Sequence, residues 1–200
     1  MVEIRGITRS AFIARSAFAA SALYGAGAVA PVVERALAAE PAGDTAILDF
    51  ALTLESIEVA FTAAALKVKG LSGDVKRALK EIAEHEKAHQ EQLKQTIEQL
   101  GATASPAPAT SFPKLGGQAA VLSLGIQLEE TGIGAYNGAA PMIESGDVLQ
   151  AAGSIVQVEA RHAGALRELA GQDPAPAAFD KALSRDEVMK RVAPYVKGGS

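Results

Sequence analysis

The sequence predicts an all-α fold: a four-helix bundle built from two helix hairpins joined by a long crossover. Two observations predict this class. The 200 residues are rich in alanine and leucine, only 4% are aromatic, and cysteine and tryptophan are absent, a composition that favours helices over strands. Four long segments also carry apolar residues at helical spacing, and glycine or proline separates each from the next.

The N-terminal segment differs from the rest of the chain. Three arginines precede an alanine-rich apolar stretch over about 16–33, and the small residues Ala36 and Ala38 follow it. This order is typical of an export signal, so we expect residues 1–40 to direct the protein to the periplasm or the cell exterior. The alternative is a retained helical extension, either as a membrane anchor or as an assembly element of a cytoplasmic protein.

The first predicted hairpin contains two helices with polar residues on their apolar faces. Asp44 is expected to cap a helix that runs to Gly70, and Ser72 to cap one that ends at Gly101. Glu55 falls within the apolar stripe of the first helix. The stripe of the second helix reads Val75, Leu79, Ile82, Glu86, His89, Leu93, Ile97 and Leu100. Charged residues are rarely buried without a partner, so these positions indicate a function.

The second predicted hairpin follows a proline- and alanine-rich crossover over 101–117. Its first helix contains Pro141, which is expected to kink it or to mark its last turns. Gly146 separates this helix from the next, which ends at Gly171. The two halves resemble each other, since "LESIEVAFT" in the first corresponds to "LEETGIGAY" in the second. The chain is therefore predicted to be a duplicated hairpin.

A short C-terminal helix completes the predicted domain, which spans 44–197. Ser184 and Glu187 have the spacing of a capping box at its start. The net charge of −4 gives no reason to expect a nucleic-acid partner. The absence of cysteine excludes disulfides, thiolate metal sites and a thiol nucleophile. Any metal must therefore be held by oxygen and imidazole ligands.

The motif Glu-x-x-His occurs twice and uses two of the three histidines. Residues three apart lie on one face of a helix, so each carboxylate and imidazole can bind a cation together. In each hairpin one further glutamate lies at the same height as the motif, because the two are equidistant from the turn. The predicted metal ligands are thus Glu55, Glu86, His89, Glu129, Glu159 and His162. Glu58 and Glu130 remain alternatives to the single glutamates Glu55 and Glu129.

This ligand set predicts two divalent metal ions. Four ionised carboxylates in an apolar bundle are costly unless their charge is compensated, and two divalent cations would neutralise them. Carboxylate and imidazole donors suit Fe or Mn, and Zn by substitution. A glutamate from each of two helices with a Glu-x-x-His from each of the other two is the ligand pattern of dinuclear carboxylate bundles.

Over about 44–197 the sequence resembles the ferritin-like superfamily, and within it the desiccation-related branch. The phrases that carry this resemblance are "LDFALTLESIEVAF", "LEETGIGAYNGAAP" and "FDKALSRDEVMKRVAPYV". It implies that the six residues above are metal ligands and that the metals react with dioxygen or peroxide in stress protection. Thr62 departs from many relatives, which have a tyrosine seven residues after the first ligand, whereas Tyr136 has that spacing in the second half.

Two classes of function therefore follow. One is an oxidoreductase of the ferroxidase, peroxidase or catalase type. The other is a non-catalytic protein in which metal staples the bundle for a structural role, for sequestration, or for assembly into a homo-oligomer through the N-terminal helix. The sequence leaves open the metal, the substrate, the electron donor, the oligomeric state and the cleavage of residues 1–38.

Overall fold

The computed structural model describes residues 43–197, and it confirms the all-α class. Its helices are α1 (Asp44–Ala65), α2 (Gly73–Gln99), α3 (Gln118–Ala139), α4 (Gly146–Leu169) and α5 (Arg185–Val192), with short 3-10 segments at Ala140–Met142 and Ala193–Tyr195. Within this range the only extended pairing is an isolated bridge between Thr110 and Val196. The predicted export segment, residues 1–40, lies outside the described residues.

The four long helices form the predicted bundle of two hairpins. Helix α1 packs against α2 and α3 packs against α4, while α1 also contacts α3 and α2 contacts α4. The irregular segment over 100–117 connects the hairpins. Among the helices of residues 43–197, none combines the length and the apolar character needed to cross a membrane.

The helix starts agree with the sequence prediction at two serines and disagree at Asp44. Ser72 is the N-cap of α2, and Ser184 forms a complete capping box with Glu187 at α5. The predicted cap at Asp44 is wrong, because Gly43 is the N-cap and no side chain caps this end. The Asp44 carboxylate instead accepts 2.7 Å hydrogen bonds from the backbone N–H groups of residues 144 and 145. It therefore ties the start of α1 to the start of α4.

The helix ends differ from the predictions by a few residues. Helix α1 stops at Ala65 and not at Gly70, although Gly70 makes the expected turn with φ 79°. Helix α3 ends at Ala139, and Pro141 lies in the 3-10 segment after it, as expected. Leu100 was expected in the buried stripe but lies beyond the last turn of α2 and is 47% exposed.

The core consists of two apolar clusters at opposite ends of the bundle. One contains Leu54, Ile57, Phe61, Val75, Leu79, Ile82, Val121 and Leu166, and the other contains Leu48, Leu52, Leu93, Ile97, Tyr136, Val148 and Ile155. Along α2 and α4 the stretch between the clusters is where the Glu-x-x-His motifs lie. The apolar residues thus hold the helices at both ends and leave a polar layer in the middle.

The C-terminal segment docks on α3 through two glycines. The backbone N–H of Leu183 donates a 2.8 Å hydrogen bond to the carbonyl of Gly134. A Cβ at Gly138 would overlap the Leu183 backbone carbonyl, and one at Gly134 would meet the Leu183 side chain at 2.5 Å. The close approach of this segment therefore requires glycine at both positions.

Candidate metal centre

The six predicted residues come together at mid-bundle, and all are buried. They form two overlapping groups, in each of which one ligand atom per residue lies within 4.8 Å of the others. The first group is Glu55, Glu86, His89 and Glu159, and the second is Glu86, Glu129, Glu159 and His162. Each hairpin therefore contributes to both groups.

His89 faces three carboxylates through Nδ1. This nitrogen lies 3.3 Å from Oε2 of Glu55, 3.2 Å from Oε2 of Glu86 and 3.1 Å from Oε1 of Glu159. One of these partners comes from the same helix, one from the same hairpin and one from the other hairpin. The imidazole thus joins the two hairpins.

His162 occupies the corresponding position in the second half. Its Nδ1 lies 2.9 Å from Oε1 of Glu86, 3.3 Å from Oε2 of Glu129 and 3.9 Å from Oε1 of Glu159. Glu86 therefore turns one oxygen towards each imidazole, which is the arrangement that a bridging carboxylate needs.

Burial and mutual repulsion set the charge of the single glutamates. Burial raises the pKa of Glu55 well above its usual range, and the charge of Glu159 raises it further. Burial likewise raises the pKa of Glu129, although the adjacent imidazole of His162 opposes the rise. In the absence of a cation these two carboxyl groups therefore favour the neutral form.

The two imidazoles and Glu86, by contrast, favour their charged forms. Burial would lower the pKa of His89 and His162, but the surrounding carboxylates raise these values to about 12 and about 10. Burial would raise the pKa of Glu86, but the adjacent imidazoles of His162 and His89 lower it to about 2. Without a metal, protonated imidazoles therefore balance part of the negative charge.

The hydrogen bonding within the cluster is incomplete. Seven buried side-chain atoms of the described residues make no hydrogen bond: Glu55 Oε2, Glu58 Oε2, Glu86 Oε1, Glu129 Oε2, both Glu159 oxygens and His162 Nδ1. Buried polar atoms are almost always paired in native proteins. Carboxylate oxygens and imidazole nitrogens are also ligand atoms that bind divalent cations. The unpaired atoms and their chemistry therefore fit divalent metal binding.

The structure distinguishes the two alternative glutamates. Glu130 has a partly exposed side chain that pairs with Arg167 of α4, so it points away from the cluster. Glu58 is 4% exposed and lies within the cluster. Burial raises its pKa, and so does the charge of Glu159. Glu58 is thus a fifth buried carboxylate beside Glu55, and it belongs to neither ligand group.

Gly132 explains where the Glu58 carboxylate fits. A Cβ at Gly132 would lie 3.2 Å from Oε1 of Glu58 and 3.2 Å from Oε2 of Glu159. Gly132 follows Glu129 by three residues, as Glu58 follows Glu55, so it is the duplicate of Glu58. The second half therefore has no side chain at the position where the first half has the carboxylate of Glu58.

Tyr136 and His85 also contact the cluster. The Tyr136 hydroxyl donates a 2.6 Å hydrogen bond to Oε1 of Glu55, a contact between the hairpins that the sequence does not reveal. His85 lies outside the apolar stripe of α2 and is exposed. Its Nδ1 nevertheless lies 2.9 Å from Nε2 of His162.

The comparisons with known proteins agree with this architecture. A family model described as a ferritin-like domain matches residues 43–172, which include all four helices of the bundle. The crystal structure of a conserved hypothetical protein, rv2844, from Mycobacterium tuberculosis is similar, with a TM-score of 0.60 at 20% identity over 68% of this chain and 96% of that one. At this identity the likeness concerns the fold alone. No curated protein matches the sequence.

Proposed function

Because this chain belongs to the ferritin-like domain family, we propose that it binds a pair of divalent metal ions, Fe or Mn, at the centre of its bundle. The observation that carries the proposal is the overlap of the two ligand groups, which share Glu86 and Glu159. Two groups with shared carboxylates are suited to two neighbouring ions, since each shared carboxylate has two oxygens.

The residues would divide into three sets. Glu55 and His89 would hold one ion, and Glu129 and His162 the other. Glu86 and Glu159, which belong to both groups, would bridge them. Zn fits the same donors by substitution. When bound, Fe or Mn would supply the electrons that reduce dioxygen or peroxide, so the proposed activity is ferroxidase- or peroxidase-like.

The protein residues would prepare the site in two ways. The helices bury the ligands almost completely, with Glu55, Glu86 and Glu159 at 0% exposure, so they exclude bulk water. The Tyr136 hydroxyl holds one oxygen of Glu55 and leaves the other, Oε2, facing His89. Ligands fixed in this way need little rearrangement when a cation enters.

The second candidate is a non-catalytic role in which bound metal stabilises the bundle. The observation that favours it is the crowding of five buried carboxylates. Burial raises the pKa of Glu55, Glu58 and Glu129, and repulsion between the carboxylates raises it further. Cations that relieve this repulsion would contribute folding free energy without turnover. In that case the protein would serve metal sequestration or assembly.

The physiological setting is a further part of the proposal. The resemblance of three phrases to the desiccation-related branch supports a role in stress protection, and the signal-like order of residues 1–40 supports export. Mass spectrometry of the mature protein from the native cell tests the second point. A mass that includes Met1–Ala38 would contradict cleavage of an export signal.

The metal content of the purified full chain tests the binding proposal. We expect about two Fe or Mn ions per chain, measured by inductively coupled plasma mass spectrometry. The double variant Glu86→Gln/Glu159→Gln should bind almost none. A matched control, Glu84→Gln/Glu168→Gln, removes two exposed glutamates from the same two helices and should bind as the parent does. Equal metal in both variants would refute the site.

Oxygen and peroxide consumption decides between the two candidates. The Fe²⁺- or Mn²⁺-loaded protein is mixed with dioxygen or hydrogen peroxide in the presence of an external reductant. Consumption that continues over many turnovers supports the oxidoreductase. Consumption that stops after one equivalent per metal pair, or none at all, supports the structural role. Thermal unfolding with and without metal then measures the contribution of metal to stability.

A further inference from the structure

The internal duplication is imperfect next to the predicted metal ligands of the two Glu-x-x-His motifs. Glu86 corresponds to Glu159, and His89 corresponds to His162. One residue before the glutamate, the first hairpin has His85 and the second has Val158. The two halves therefore offer different groups at the same place.

The imidazole rings of His85 and His162 are in direct contact. Nδ1 of His85 lies 2.9 Å from Nε2 of His162. The ring centroids are 5.2 Å apart and the interplanar angle is 8°. This separation is the one expected when two rings in a common plane are connected through their nitrogens, so the contact is an edge-to-edge hydrogen bond.

The chemistry of the ligand fixes the direction of this hydrogen bond. Nδ1 of His162 faces Glu86 and Glu129, as a ligand atom would. A neutral imidazole that presents the lone pair of Nδ1 to a cation carries its hydrogen on Nε2. Nε2 of His162 therefore donates and Nδ1 of His85 accepts. Val158 has a hydrocarbon side chain, which can accept no such bond.

We propose that His85 is a positioning residue that makes the two metal positions unequal, by holding His162 in the tautomer and orientation that ligate. This inference rests on the proposed metal binding. Outer partners of ligating histidines typically contribute about 10–100-fold in metal affinity. The position served by His162 is therefore the tighter of the two, and the position served by His89 is the weaker.

Exposure makes His85 a practical target for substitution. Its side chain is exposed and belongs to neither apolar cluster. His85→Leu removes the acceptor. His85→Asn restores one, because the amide oxygen can take the place of Nδ1. Glu84→Gln is the matched control at the neighbouring exposed position.

The test is a calorimetric titration of the full metal-free chain with Co²⁺, with visible absorption recorded in parallel. The parent should bind two ions with distinct affinities. His85→Leu should weaken the tighter step by about 10–100-fold, alter its absorption bands and leave the other step unchanged. His85→Asn should recover most of the affinity and the spectrum, and Glu84→Gln should match the parent. His162→Ala should abolish the same step, which identifies it.

The outcomes separate the inference from the proposal beneath it. A parent that binds no Co²⁺ would refute the metal site and with it the role of His85. A parent that binds two ions while His85→Leu binds them identically would overturn the positioning role alone. Equal weakening of both steps, or a His85→Asn variant as weak as His85→Leu, would also overturn it. Circular dichroism of each variant confirms that the helices are retained.

Discussion

The hydroxyl of Tyr136 donates a 2.6 Å hydrogen bond to Oε1 of Glu55, and this bond connects the third helix to the first. Burial raises the pKa of Tyr136, and the interaction with Glu55 raises it further, so the phenol keeps its proton. The corresponding residue of the first half is Thr62, whose hydroxyl donates to the carbonyls of Glu58 and Val59 within its own helix. Of these two corresponding residues, Tyr136 of the second half donates a hydrogen bond to the cluster and Thr62 of the first half does not.

Replacing Tyr136 by phenylalanine should destabilise the metal-free protein. Oxygen Oε1 of Glu55 would lose its hydrogen bond while it stays buried, which costs about 1–3 kcal/mol of unfolding free energy. Tyr195→Phe is the matched control, because its hydroxyl makes only a 3.4 Å contact with Gln127. Chemical denaturation measures both variants. An equal loss in the two would show that the Glu55 contact has no special contribution.

Gly132→Ala should separate metal binding from stability. The added methyl group would lie 3.2 Å from oxygens of Glu58 and Glu159, so both carboxylates must shift. Metal affinity should therefore fall. Alanine also favours the helix over glycine by up to about 1 kcal/mol, which offsets the strain in the metal-free protein. Calorimetry with Mn²⁺ and thermal unfolding measure the two effects.

Gly125→Ala is the control for Gly132→Ala. It lies on the same helix, and its added methyl group would meet the apolar side chains of Leu166 and Phe61. This substitution should lower stability through overpacking and leave metal affinity close to that of the parent. If the Gly132→Ala variant keeps full metal affinity, the space that the native glycine leaves for Glu58 is not needed for binding.

Metal binding should strengthen as the pH rises. In the metal-free protein the pKa of His89 is about 12 and that of His162 about 10, so both imidazoles are protonated at neutral pH. Ligation requires the neutral ring, so each must release a proton. The apparent affinity should therefore increase from pH 6 to pH 8. Calorimetry in buffers of different ionisation enthalpy measures the released protons, and release of none would contradict this charge balance.

Gly138→Ala should disrupt the docking of the C-terminal segment. The new Cβ would overlap the backbone carbonyl of Leu183, which cannot move independently of its chain. We expect a loss of about 1–3 kcal/mol in unfolding free energy, as for other overpacked sites. Gly153→Ala is the control, since a Cβ there meets nothing within 4 Å and should stabilise α4 slightly. A neutral Gly138→Ala would show that the segment is not closely docked.

The sequence by itself determined the helices and the residues turned towards the centre. Serine caps at Ser72 and Ser184 could be predicted because a cap depends on residues three positions apart. The inward direction of Glu86 and His89 could be predicted because helical periodicity assigns each residue to a face. The pairing of the hairpins followed from their short turns and duplicated pattern.

Only the tertiary structure decided the contacts between the hairpins. Tyr136 and Glu55 are 81 residues apart, and His85 and His162 are 77 apart. Such contacts depend on the rotation and height of one helix against another, to within a fraction of a helical turn. Periodicity assigns a face but does not give that precision. For the same reason the Asp44 carboxylate caps nothing on its own helix and binds the start of α4.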